Sequence, residues 1–246
     1  MAGRACFDCF CLCEITQKAR LVPLPKPDGG LRPILVQEVL TRLVSSCALK
    51  ASTHLSDVLA PLQVGVGVPG GADTLACAVA AGIDEEPDCA TIQTDMSNAF
   101  GTARRSGMLQ ECAQRAPPLY PWAKYQLRQH TRCWVQGAPA GTPPIMLRTG
   151  VPEGNLLSPA LYAFNQQPAL EAAARQFPQA RIMADHDDVV LQARGPAAVR
   201  AFAELTKQLQ ARGMAVSMRK SACIRVTQRC FGRWQRPRAC SSGRRG

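Results

Sequence analysis

The stretch ARIMADHDDVVLQAR, residues 180–194, places two short apolar runs on either side of a knot of aspartates. Ile182 and Met183 on one side, and Val189, Val190 and Leu191 on the other, have strand-forming side chains, while the acidic residues between them suit a turn. The segment therefore reads as a β-hairpin with Asp185, His186, Asp187 and Asp188 at its tip. Such a tip is either a solvated loop or a set of carboxylates held out for chemistry. What the rest of the chain brings near it decides between the two.

Upstream, LVPLPKPDGGLRPI (21–34) turns at Asp28-Gly29-Gly30 and reads as a second hairpin, with Lys26 and Arg32 on its arms. Residues 35–60 repeat Val36, Val39, Leu40, Leu43 and Val44 at helical spacing. A glycine-rich loop, QVGVGVPGGADT, then leads to a helix at about 72–82. ATIQTDMSNAF (90–100) begins as a strand and breaks at Asp95. Helices are expected at about 103–114 and 119–130 and a strand at 145–150. Ser158 is the expected N-cap of the next helix, with Pro159 in its first turn. After the acidic hairpin, residues 197–213 form a helix with Val199, Phe202, Ala203, Thr206 and Leu209 on one face, stopped by Gly213. Short strands near 215–218 and 222–226 close the ordered part, and residues 1–20 show no pattern. This order implies an α+β fold, an antiparallel sheet with helices on one face, rather than a doubly wound parallel sheet.

The 246 residues are 46% hydrophobic, enough for a real core. The formal charge of +11 suits a polyanionic partner such as nucleic acid, although an arginine-dominated excess also follows from GC-rich coding. No run approaches the roughly 20 apolar residues of a membrane span, so no membrane partner is expected. The chain shows no secretory leader, so its 12 cysteines suit a reducing, intracellular setting, nuclear or cytoplasmic. Cys6, Cys9, Cys11 and Cys13 crowd the start, but Cys-x-Cys steps without a nearby His poorly suit tetrahedral zinc.

Three chemistries compete. Gly65-Val-Gly67-Val-Pro-Gly70 fits G-x-G-x-x-G, but a dinucleotide loop must follow a buried strand, and Pro61 stands just upstream. The three histidines and the lack of G-x-S-x-G argue against a hydrolase triad. The acidic set fares better. If the strand ending at Asp95 neighbours the hairpin, then Asp95, Asp187 and Asp188 meet at one edge. Two such charges about 4 Å apart repel by roughly 4 kcal/mol near a surface. Hard divalent cations relieve that cost, and two Mg²⁺ ions (or Mn²⁺) held this way assist phosphoryl transfer.

Here the motifs resemble a family. LVPLPKPDGGLRPI, IQTDMSNAF, GVPEGNLLSPALYAF, DHDDVVL and GMAVSMRKSACI stand in the order found in reverse transcriptases. The chain is most similar to those of non-LTR (LINE-like) retrotransposons, with group II intron maturases as relatives. QVGVGVPGG also looks like such elements, and the resemblance covers about residues 21–225. It implies a right-hand polymerase palm with partial fingers. A fingers-like segment would span 21–90 and the palm 91–226, after an unassigned Cys-rich start (1–20) and before a basic disordered tail (227–246).

It also implies an RNA-directed DNA polymerase working on an RNA template, a DNA primer and deoxynucleoside triphosphates. Asp95 and the pair Asp187 and Asp188 match the metal-binding aspartates, and Lys220 a late-palm lysine that serves as proton donor to the leaving pyrophosphate. Phe100 matches the bulky gate against a ribose 2′-hydroxyl, Lys26 and Arg32 the residues gripping the triphosphate, and Gly154 a glycine that lets backbone approach the nucleotide. The chain departs from the family where Asp185 replaces the aromatic of the Y-x-D-D turn and where Glu153 replaces a common Gln. It has no room for a thumb, so thumb or endonuclease modules would be encoded elsewhere. An inactive nucleic-acid-binding remnant and a maturase-type protein stand as alternatives.

Overall fold

The structure is a computed structural model that describes residues 17–27, 29–52 and 54–225. The N-terminal cysteines, Asp28 and the basic tail lie outside the described residues.

The first hairpin forms as its turn chemistry dictates. Strands β1 (Lys18–Pro25) and β2 (Leu31–Gln37) pair antiparallel from Ala19↔Gln37 to Pro25↔Leu31. The tip closes with Lys26 N donating to Gly30 O at 2.8 Å. Strand β1 begins inside the stretch that shows no sequence pattern, and β2 runs through residues expected to start a helix. That helix is instead two pieces, α1 (Val39–Ala51) and α2 (Leu55–Leu59).

Helix α1 is inside-out: Thr41 and Ser45 are buried, while Val39, Leu40, Leu43 and Val44 are exposed. Its spacing predicts helix correctly, but the buried face is the polar one, where Ser45 Oγ accepts the Trp122 indole N–H at 3.0 Å.

Helix α3 (Gly71–Glu85) precedes β3 (Cys89–Thr94) and a short β4 (Met96–Ser97). Helices α4 (Ala99–Thr102), α5 (Arg105–Arg115) and α6 (Tyr120–Arg128) follow. Strand β5 (Thr131–Val135) carries no sequence signal; it pairs parallel to β1, and β6 (Ile145–Leu147) pairs antiparallel to β5. The first sheet thus has the order β2-β1-β5-β6.

The long α7 (Ser158–Gln176) leads into β7 (Arg181–Asp185) and β8 (Asp188–Arg194), the acidic hairpin. Helix α8 (Gly195–Ala211), β9 (Ala215–Val216) and β10 (Ala222–Arg225) complete the described chain. The second sheet has the order β10-β3-β8-β7, all antiparallel, so the mixed α+β architecture matches the expectation.

Helices α7 and α8 pack on the face of this sheet that carries Leu191. By strand alternation Gln192 points the other way. There it donates to Val79 O of α3 at 3.0 Å, so α3 covers part of the opposite face. The core gathers Leu119, Leu157, Phe164, Leu170, Leu191, Leu205 and Leu209, all essentially solvent-free. Buried Glu111 on α5 accepts from Arg115 at 3.1 Å and from Arg212 at 2.8 Å, tying α5 to the end of α8.

Two local expectations shift. Ser158 is the first residue of α7, not its cap; its hydroxyl donates to Pro152 O at 2.8 Å, while Asn155 Oδ1 takes the Leu157 N–H at 2.8 Å. On α8 the buried residues are Ala198, Ala201, Phe202, Leu205 and Leu209, so the inner face is rotated off Ala203, which is exposed. The helix stops as expected at Gly213, at φ +80°, with Met214 N bonded back to Leu209 O at 3.0 Å.

Candidate active site

Register builds the acidic edge. Strands β3 and β8 pair from Cys89↔Arg194 to Thr94↔Val189. The next residues outward are Asp95 and Asp188, so antiparallel geometry sets them side by side. Asp187 precedes in a two-residue turn between Asp185 and Asp188. Partial desolvation pushes the Asp188 carboxyl above its ordinary range, and the charges of Asp187, Asp95 and Asp185 push it further; His186 opposes them. The carboxylates therefore feel one another. They have not collapsed onto a common point, however: among the described residues no three His, Cys, Asp or Glu side chains are grouped to hold an ion.

The main chain of Asp95 is held by the segment after α8. Asp95 N donates to Ser221 Oγ at 3.2 Å, and Ser217 N donates to Asp95 O at 2.7 Å. Lys220 in the same segment sits 3.8 Å from Asp95 Oδ1, a solvent-exposed pair of small energetic weight. So Lys220 flanks Asp95 rather than the hairpin.

The acidic turn is gripped by the loop after α2. Val64 N donates to Ala184 O at 2.8 Å, Ala184 N to Leu62 O at 2.7 Å, and His186 N to Gln63 Oε1 at 2.9 Å. His186 has φ 55°, a conformation that L residues enter reluctantly. Its Nδ1 lies 2.6 Å from Asp185 Oδ1. These two side chains lie so close over Gly65 that any Cβ there would strike both. The glycine-rich loop thus serves as a platform under the turn; it follows an isolated bridge, Gln63↔Ala184, and not a central strand, as Pro61 implies. A cavity of about 390 Å³ opens beside it, walled by Gly65, Gly67, His186, Leu156 and Ala160.

Glu153 links this edge to the basic hairpin. Burial raises its carboxyl pKa, Arg32 and then Lys26 pull it down, and Asp187 pushes it up again. Its carbonyl accepts Leu35 N at 2.8 Å, fastening the 150–154 loop to β2. Gly154, at φ +105°, lies against the Leu35 carbonyl, 2.8 Å from where a Cβ would stand. Close approach to a strand therefore already requires glycine here.

Phe100 on α4 is half-buried, with its ring centroid 5.1 Å from that of Tyr162. Tyr162 is fully buried, and among the described residues its hydroxyl has no hydrogen-bond partner. Its phenol pKa is pushed up by burial and then by the charge of Asp187. The charge of Asp187 thus reaches both Tyr162, against which Phe100 packs, and Glu153, which also feels Arg32 and Lys26.

Sequence reading did not single out Gln63, Tyr162 or Arg105. Half-buried Arg105 reaches Gly150 O at 2.8 Å, Gln129 O at 2.9 Å and Leu147 O at 3.1 Å, pinning the root of the 150–154 loop. Nothing in the local sequence marks it. Gln63 opens the quoted QVGVGVPGG, which is the signal that could have found it.

No family model matches the chain, and no curated protein matches it. Solved structures do. The telomerase of Candida tropicalis truncated from its C-terminal domain superposes with TM-score 0.62 at 13% identity, over 86% of this chain and 50% of that one. Apo telomerase from Candida tropicalis gives 0.63 at 12% identity, over 85% and 44%. Telomerase from Candida albicans, in complex with a TWJ fragment of telomeric RNA, gives 0.60 at 10% identity, over 86% and 43%. The likeness is one of fold, a reverse-transcriptase-like fold, and this chain spans half or less of the length of each of these three neighbours.

Proposed function

We propose that the chain is the catalytic part of an RNA-directed DNA polymerase, adding deoxynucleotides to a primer 3′-hydroxyl on an RNA template. The observation that carries this reading is the register that sets Asp95 beside Asp188 at one sheet edge, with Asp187 in the adjoining turn and its charge felt at Glu153 together with those of Arg32 and Lys26. Neighbouring carboxylates with basic side chains close by suit a divalent metal and a triphosphate together. The neighbours' fold supports it, as does the RNA bound by the Candida albicans telomerase. The order of the quoted motifs points to a non-LTR retroelement, with residues 21–90 as fingers and 91–226 as palm.

The donor chemistry fits Mg²⁺ or Mn²⁺: Asp95, Asp187 and Asp188 would hold the ions, which when bound lower the charge barrier at the reacting phosphate. The protein's own groups do the rest. Arg32 can bind phosphate oxygens in bidentate fashion and Lys26 as a point charge. Phe100, braced by Tyr162, would lie under the sugar of a bound nucleotide and exclude a 2′-oxygen by its bulk. Glu153 sits between the two basic residues and the aspartates, so it weakens the grip on a triphosphate when ionised and less when protonated. Lys220, poised beside Asp95, can hand a proton to the departing pyrophosphate. The cavity beside His186, with its small and apolar walls, suits a base of the template strand.

Primer extension with Mg²⁺ on an RNA template tests the reading. Wild type should extend with deoxynucleotides and discriminate against ribonucleotides, Phe100→Ala should lose that discrimination, and Asp187→Ala should be inert. If wild type extends no better than Asp187→Ala, a nucleic-acid-binding domain is left. A flanking reading frame for an endonuclease would support the retroelement assignment; flanking intron RNA structure would point to a maturase.

A further inference from the structure

Gln63 is 1% exposed, in the loop that grips the acidic hairpin. Its Oε1 alone accepts two main-chain donors, His186 N at 2.9 Å and Gly65 N at 3.0 Å. Its Nε2 donates to Gln166 Oε1 on α7 at 3.0 Å. A single buried amide therefore ties together the first residue of the aspartate turn, the glycine platform beneath it and the helix behind it. The turn has need of such a tie. It is two residues long, with an L residue at positive φ, and the position before it holds Asp185 rather than a large side chain that could wedge the hairpin in place.

We propose that Gln63 is a positioning residue for the aspartate turn: by accepting the His186 N–H it fixes the direction in which Asp187 and Asp188 leave the backbone. Its importance to catalysis rests on the polymerase reading; its hold on the turn does not. An amide meets these needs together: its oxygen takes the two N–H groups while its nitrogen donates to Gln166. A leucine of similar size would leave both partly buried N–H groups without this acceptor.

Amide hydrogen exchange on the full chain separates the two levels. In wild type the amides of His186 and Gly65 should be protected. In Gln63→Leu both should exchange about tenfold faster, the equivalent of one lost hydrogen bond, while amides of α8 keep their rates. Mn²⁺ affinity, followed by electron paramagnetic resonance, should weaken about tenfold, and kcat should fall more than the nucleotide KM rises. Unprotected His186 and Gly65 amides in wild type, or exchange unchanged by the substitution, would overturn the proposal. So would equal acceleration in α8, since that marks general loosening. Should Gln63→Leu fail to fold, Gln166→Leu decides: it should speed the same two amides about threefold by freeing Gln63 to swing, and no effect refutes the inference. A wild-type chain that binds no Mn²⁺ while showing this exchange pattern overturns the polymerase reading, and Gln63's catalytic part with it, and supports its hold on the turn alone.

Discussion

The molecule contains two long hairpins of opposite character. The acidic hairpin, β7–β8, lies inside the fold: β3 flanks it on one side and the Gln63 loop on the other, and Val189, Leu191 and Ala193 are buried. The basic hairpin, β1–β2, meets β5 over Lys18–Leu21, and among the described residues its strands from Val22 to Ile34 pair only with each other. Pro23 and Pro33 face each other there, Leu24 and Leu31 are exposed, and the prolines remove donors that another strand could use. Carboxylates that repel one another need a rigid mount, because each must keep its direction against the others' charge. Cations that grip a mobile polyanion need no such mount, and a hairpin with few buried contacts can follow its ligand.

The sharpest way to break this comparison is at the acidic turn. Asp187→Asn should lower primer extension at least about a thousandfold with no loss of Tm, because it removes a like charge from the cluster. A fall in Tm would show that the aspartates stabilise the fold rather than strain it. Next in size is the packing contrast. Leu191→Ala in β8 should cost about 2–5 kcal/mol in urea unfolding; Leu31→Ala in β2 should cost less than about 0.5 kcal/mol. Similar losses would erase the distinction between a mounted and a protruding hairpin.

Lys26→Ala and Arg32→Ala should each raise the nucleotide KM about tenfold, leaving kcat and Tm nearly as they were; steady-state kinetics would show it. The smallest effect is expected at Glu153. Its folded pKa is raised, so the folded state holds its proton more tightly than the unfolded chain does. Stability from this group is present at low pH and is lost as pH rises past the ordinary glutamate range through the folded value. In Glu153→Gln that decline should shrink, and the nucleotide KM at neutral pH should fall a few-fold. An unchanged Tm–pH profile would show that burial of the carboxyl carries no cost.

Both hairpins were legible in the sequence because each is a local matter: Asp-Gly-Gly and Asp-His-Asp turns between strand-forming runs. The meeting of Asp95 with Asp188 was legible only as a condition, since it needs β3 to lie beside β8. Periodicity located α1 and α8 but did not tell which side each buries. Spacing tells that residues share a face and not what covers it: α1 turns Thr41 and Ser45 inward because Trp122 supplies a donor there.

By itself, then, the sequence determined the turns, most of the helices and the acidic, basic and aromatic side chains available for chemistry. Each of those depends on neighbours a few residues away. Only the tertiary structure decided that β5 joins β1 in parallel, that Arg105 pins the 150–154 loop, and that Gln63 holds a turn 123 residues further along the chain. These are contacts between distant segments, and no local pattern records them, because the hydrogen-bonding needs they meet arise only once the segments pack.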